Sequence, residues 1–160
     1  MKQSVVDVVN AQIKAEFQAA YFYLAYAARF DVKGLAGFAA WMRKQWEEEL
    51  EHGLKFYDFL LRRGAAVELH PLDKPTTDTD SPVKVFERVL DHERKVTERI
   101  HKMYELAQAE QDYPLQTLLH WFIDEQVEEE DAALKILDRL KMIGDSGAEL
   151  YLLDKELGGR

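Results

Sequence analysis

Apolar residues recur at steps of three and four along four stretches of this chain, the spacing that keeps side chains on one face of an α-helix. The first stripe reads Val6, Val9, Ile13, Glu16, Ala20, Tyr23, Ala27, Phe30, and the second Phe38, Met42, Gln45, Glu49, His52, Phe56, Phe59. The third is Phe86, Val89, Glu93, Val96, Ile100, Met103, Ala107. The fourth is Leu115, Leu119, Phe122, Gln126, Glu129, Ala133, Ile136, Leu140, Ile143. Strand-like alternation is absent. The pattern therefore predicts long helices over Ser4 to Phe30, Leu35 to Arg63, Pro82 to Ala109 and Pro114 to Ile143. Ser81-Pro82 reads as an N-cap with proline at the first helical position, Pro114 opens the fourth helix in the same way, and Gly34, Gly64 and Gly144 mark breaks.

The connections at 31–34 and 110–113 are short, so helices one and two, and three and four, are expected to fold back as antiparallel hairpins. Gly64 to Ser81 is much longer and holds Pro71, Pro75 and a Thr76-Thr77-Asp78-Thr79-Asp80 run. Extended, it reaches about 60 Å, whereas a helix of about 28 residues is about 42 Å long. The loop can thus cross a whole bundle, which predicts an all-α, up-down-down-up four-helix bundle with a long crossover between helices two and three. Leu150, Leu153 and Leu157 at helical spacing add a short fifth helix over about 147–157. One domain over 1–160 is expected, with the bundle at about 4–143.

The stripes are as informative for their interruptions as for their continuity. Glu16, Glu49, Glu93 and the pair Gln126/Glu129 each break an apolar face near the middle of its helix. Burying one unpaired carboxylate costs several kcal/mol or forces protonation, so four at one level require cations. Glu49 and His52, at i and i+3, place a carboxylate and an imidazole side by side, the Glu-x-x-His unit of di-iron bundles. A lone match of this kind is usually a solvated surface coincidence; the matching breaks in three other helices reverse that reading. Carboxylates with one imidazole suit iron or manganese better than structural zinc. Two divalent ions would balance the four charges of Glu16, Glu49, Glu93 and Glu129.

Composition narrows the rest. Thirty acidic against 21 basic residues give a formal charge of −9, which disfavours a nucleic-acid surface and attracts cations. The absence of cysteine excludes disulfides, iron–sulfur clusters and thiolate zinc, and fits a reducing compartment. Asp7 and Asn10 interrupt the N-terminal apolar residues, and the longest apolar run, Ala19 to Ala28, is about half the length that spans a bilayer. A soluble cytoplasmic protein, with no membrane partner, is expected.

The stretches around these breaks, Ala15 to Tyr23, Glu47 to His52, Asp91-His92-Glu93 and Trp121 to Glu130, resemble the non-haem ferritins of the bacterial and archaeal type. The likeness runs over nearly the whole chain. It implies a first iron site from Glu16, Glu49 and His52, and a second from Glu49, Glu93 and Glu129 with Gln126 beside it, Glu49 bridging the two ions. It also implies a third site from Glu48, Glu125, Glu128 and Glu129, although these residues alone read equally as a solvated acidic run. Tyr23, seven residues from Glu16, matches a tyrosine linked to electron donation in that family, with Trp121 assisting; from the sequence alone Tyr23 is a core tyrosine bonded to a carboxylate. Trp41 and Trp46 read as packing residues, and His70, His92, His101 and His120 lack partner spacing.

Departures from sister families refine the expectation. Leu50 stands where a bacterioferritin has its haem-ligating methionine, so no haem is expected. Gln126-x-x-Glu129 replaces the second Glu-x-x-His of bacterioferritins and rubrerythrins, which makes the two irons inequivalent. The resemblance thus implies an iron-storage subunit with ferroxidase activity, oxidising Fe(II) with dioxygen or peroxide and assembling as a homo-oligomeric 24-subunit cage. Two other readings stand beside it: a di-iron oxidase or iron-loading protein that stores no mineral, and a non-catalytic acidic helical bundle.

Overall fold

The computed structural model describes residues 1–159, which form five helices: α1 (Gln3–Val32), α2 (Ala36–Arg62), α3 (Pro82–Ala109), α4 (Tyr113–Ile143) and α5 (Gly147–Leu157). Every predicted helix is present, each within two residues of its expected bounds. No strand occurs among the described residues, and no helix is long and apolar enough to cross a membrane. Two compact units divide the chain. One comprises residues 6–80 and the stretch from Asp145 onward; the other comprises Met1–Val5 and Ser81–Gly144.

In the first unit the stripes of α1 and α2 are buried, Val6 alone being half-exposed. Large rings fill the upper part: Tyr23 meets Trp41 edge-on at 6.3 Å, and Phe30 lies 5.3 Å from Phe38. Gly53 admits the ring of Phe17, which a Cβ there would strike. The α1–α2 turn closes when Leu35 N donates to Phe30 O and Gly34 N to Asp31 O, with Gly34 at φ 76°. This double-bonded C-terminal cap requires one left-handed residue, which glycine adopts without steric penalty. The same pattern, Ala65 N to Leu60 O and Gly64 N to Leu61 O, ends α2.

The crossover then climbs along α1, and side-chain amides fix its course. Asn10 donates to Ala66 O (3.1 Å) and accepts from Glu68 N (2.8 Å). Gln18 likewise donates to Asp73 O (2.9 Å) and accepts from Asp73 N (2.7 Å). Tyr26 Oη donates to Thr76 O, and Arg29 and Lys33 both hold Asp80. Residues 66, 73, 76 and 80 thus meet 10, 18, 26 and 29 in order, so the loop rises some 28 Å along α1 before α3 begins. This is the long traverse that its length predicted. At the other end of the chain, α5 docks on the start of α2. Asp154 Oδ1 accepts from Phe38 N (2.9 Å), and the Asp154 carbonyl occupies the space that a Cβ on Gly37 would need.

The second unit is the α3–α4 hairpin, whose stripes are buried from Phe86 to Ala107 and from Leu115 to Leu140. One expectation about its ends holds and one is corrected. Ser81 is the N-cap of α3 and Pro82 its first residue, yet the Ser81 side chain makes no capping bond. Helix α4 begins one residue before Pro114, and its cap is Asp112, whose Oδ1 accepts from Leu115 N (3.0 Å). Between the helices Asp112 N bonds Ala107 O and Gln111 N bonds Gln108 O, repeating the cap of α1 and α2. Here the left-handed position is held by Gln111, at φ 55°.

Candidate metal centre

Glu16 enters its site from α1, Glu49 and His52 from α2. All three are buried, at 1%, 2% and 4% exposure. One ligand atom from each lies within 4.8 Å of the other two, close enough for one cation to bind all three. Their placement follows from the helix register. Glu16 replaces an apolar residue of the α1 stripe, and the i, i+3 spacing of Glu49 and His52 brings Oε2 to 3.6 Å from Nδ1.

Electrostatics prepares the donor set. Burial, helped by the nearby Lys55 charge, lowers the pKa of His52 to about 4. The imidazole is therefore neutral at physiological pH, and its contact with Glu49 is no ion pair. Neutral imidazole keeps a lone pair available for a metal ion. Gln12, buried one turn before Glu16, donates from Nε2 to Glu16 Oε1 at 2.8 Å and fixes that carboxylate's orientation. Two carboxylates and one neutral imidazole form an oxygen-rich set that fits ferrous iron.

On the α3–α4 hairpin, Glu93, Gln126 and Glu129 are buried at the expected breaks. Gln126 Nε2 lies 3.3 Å from Glu93 Oε2, 3.2 Å from Glu93 O and 3.3 Å from Thr97 Oγ1. Thr97 Oγ1 in turn reaches Glu130 Oε1 at 2.6 Å. Of the residues expected for a third site, Glu48 and Glu125 are half-buried, Glu128 is exposed and Glu129 is buried. The first belongs to the unit of α1 and α2, the others to α4. Tyr23 is fully buried; Trp121 is partly exposed and packs edge-on against Phe122.

Three residues hydrogen-bonded at these breaks were not singled out in the sequence as site residues: Gln12, Thr97 and Glu130. Each stands four residues from a stripe carboxylate or amide, Gln12 before Glu16, Thr97 after Glu93 and Glu130 after Gln126, so the i, i+4 relation was the available signal. One histidine set aside for lack of a partner has one: His120 Nε2 lies 3.0 Å from Tyr104 Oη across the α3–α4 hairpin.

Comparison with known proteins gives consistent results. Residues 6–143 match the family model of the ferritin-like domain. The chain is 36% identical to a bacterial non-heme ferritin of Bacteroides fragilis, over the whole of this chain and 99% of that one. It is 37% identical to a bacterial non-heme ferritin of Staphylococcus aureus, over all of this chain and 96% of the other. Among solved structures it matches an open pore ferritin from the hyperthermophilic archaeon Archaeoglobus fulgidus, with a TM-score of 0.98 and 45% identity, covering the whole chain and 99% of that structure. The fold class is accordingly all-α, a four-helix bundle with a short C-terminal helix.

Proposed function

The chain belongs to the ferritin family and serves as an iron-storage subunit of a homo-oligomer; we propose that it also oxidises the ferrous iron it takes up, at a paired site. The observation that carries this reading is the convergence of Glu16, Glu49 and neutral His52 in the buried interior of one helical hairpin. A storage shell needs only acidic surface to attract cations. A buried three-ligand set that excludes thiolate and keeps its imidazole unprotonated is instead suited to holding a redox-active ion in defined geometry.

In this reading Glu16, Glu49 and His52 bind the first ferrous ion, and Glu49, Glu93 and Glu129, with Gln126, bind the second. Glu49 is the bridge. The four carboxylates neutralise two divalent ions, so the buried cluster carries no net charge once loaded. Two ferrous ions give up one electron each. One dioxygen accepts the pair and two solvent protons to leave as hydrogen peroxide, or one hydrogen peroxide accepts them to leave as two waters. The second site, with Gln126-x-x-Glu129 in place of a second Glu-x-x-His, holds its iron less firmly, which favours its passage to a mineral core. Glu48, Glu125, Glu128 and Glu129 form a transfer site beside it; where a third ferrous ion there and Tyr23 give one further electron each, the same dioxygen takes four electrons and four protons and leaves as two waters. Assembly into a 24-subunit cage in the cytoplasm completes the proposal.

Glu49→Ala tests it directly. Losing the bridge removes a ligand from both ions, so rapid ferrous oxidation followed by stopped-flow absorbance falls by at least about 100-fold, beyond the usual effect of losing an orienting neighbour. Unchanged kinetics would contradict the reading.

A further inference from the structure

The amide of Gln126 can stand in either of two orientations, and only one presents oxygen to a metal ion. Its neighbours decide which. Glu93 O can only accept hydrogen bonds, as can Glu93 Oε2 in the ionised form that binds a metal ion, and both lie 3.2–3.3 Å from Nε2. Thr97 Oγ1, also 3.3 Å away, could in principle donate or accept. It has one proton, and two acceptors compete for it: Glu93 O at 3.1 Å, a neutral carbonyl, and Glu130 Oε1 at 2.6 Å, a carboxylate. The shorter, charge-assisted bond takes the proton. Glu130 is itself steadied from its other oxygen, Oε2, by Arg94 Nε at 3.8 Å. With its proton committed to Glu130, Thr97 meets Gln126 with a lone pair. All three neighbours of the amide nitrogen are then acceptors.

We propose that Glu130 and Thr97 are positioning residues that lock the Gln126 amide with its nitrogen on Glu93 and its Oε1 turned to the second iron. This deepens the di-iron reading above and rests on it. Neither residue touches the metal. Their effect is transmitted through the amide, which both presents an oxygen ligand and orients the Glu93 carboxylate. On α1 and α2 the corresponding task falls to a single residue, Gln12, bonded directly to Glu16. The α3–α4 hairpin uses a chain of three, Glu130, Thr97 and Gln126, because the amide it must orient is itself a ligand.

Anaerobic calorimetric titration of the assembled protein with ferrous ion tests the relay, using Thr97→Val, which keeps the shape but deletes the hydroxyl, and Thr97→Ser, which keeps the hydroxyl. The wild type is expected to bind at least two ferrous ions per chain in resolved steps. Thr97→Val should weaken one step about tenfold and leave the other within about twofold, the range expected for an orienting neighbour, and Thr97→Ser should restore the wild-type isotherm. A Thr97→Val isotherm that superimposes on the wild type would overturn the relay and leave the paired site standing. So would equal weakening of all steps with a lowered Tm, or failure of serine to rescue, since these mark a packing defect. A wild type binding fewer than two ferrous ions per chain would overturn the paired site itself, and the relay with it.

Discussion

The α1–α2 hairpin brings together three ligand atoms from its own two helices, whereas the α3–α4 hairpin contributes a carboxylate and an amide bound into a polar net. In the first, burial tunes the chemistry: His52 is stripped of its proton by desolvation, and Glu16 needs one orienting bond. In the second, hydrogen bonding does so, through Gln126, Thr97 and Glu130. A histidine offers a lone pair once it is neutral, so burial alone suffices. A glutamine offers oxygen or nitrogen according to its neighbours, so its site must include those neighbours.

The largest test of this contrast is a pair of substitutions. In the proposed centre His52→Ala removes one of the three ligands of the first ion and should lower the ferrous oxidation rate on the order of 100-fold, while Gln126→Ala removes a neutral fourth ligand from the second and should lower it about tenfold. Equal losses, measured by stopped-flow absorbance under matched iron, would erase the distinction between the hairpins.

Next in size is Gly37→Ala, confined to the first unit. The new Cβ would collide with the Asp154 carbonyl, displacing α5 at a cost of about 2–3 kcal/mol. Hydrogen exchange should show α5 deprotected, with α3 and α4 unchanged. Protection retained on α5 would show that the close approach at Gly37 is dispensable.

The pH dependence of the metal-free protein follows from His52. Its folded pKa, about 4, lies below the unfolded value near 6.5, so between these the unfolded chain binds a proton that the folded one does not. Above pH 6.5 the group is neutral in both states and stability is unaffected; stability falls as pH drops from 6.5 toward 4. At pH 5 the loss is about 2 kcal/mol. His92 on α3, pushed to about 4 by burial and by Arg99 and Lys95, acts in the same direction. Denaturant melts at pH 7 and pH 5 should therefore show a smaller loss for His52→Gln than for the wild type. An identical loss would mean that the site is hydrated enough to protonate when folded.

The smallest effect concerns the caps. Gly34 and Gly64 fill the left-handed position in the first unit, and Gln111 fills it in the second. Gln111→Gly should raise stability by up to about 1 kcal/mol, read from the denaturation midpoint. A loss would show that the Gln111 side chain holds the turn by other means.

Much of this was legible in the sequence because it depends on residues near one another in the chain. Helix bounds follow from the three-and-four spacing, and Glu16, Glu49, Glu93 and Glu129 stand out as charges where an apolar side chain belongs. Glu49 and His52 announce their pairing through an i, i+3 step. What stayed hidden depends on distant partners. Asp154 caps Phe38 across 116 residues, and Gln18 reads the backbone of Asp73 across 55. Thr97 and Glu130 look like ordinary surface residues until α3 and α4 pack and set them 2.6 Å apart. Gln111 carried no signal because the residue usually chosen for its conformation is glycine.

Storage coupled to oxidation is tested most directly by the iron retained per soluble particle after aerobic ferrous loading, with particle mass taken by light scattering on the same sample. Iron far in excess of the protein's ligand groups, inside a large homo-oligomeric shell, is the predicted result. Two or three irons per chain on a small oligomer would contradict it and leave a di-iron oxidase that stores no mineral.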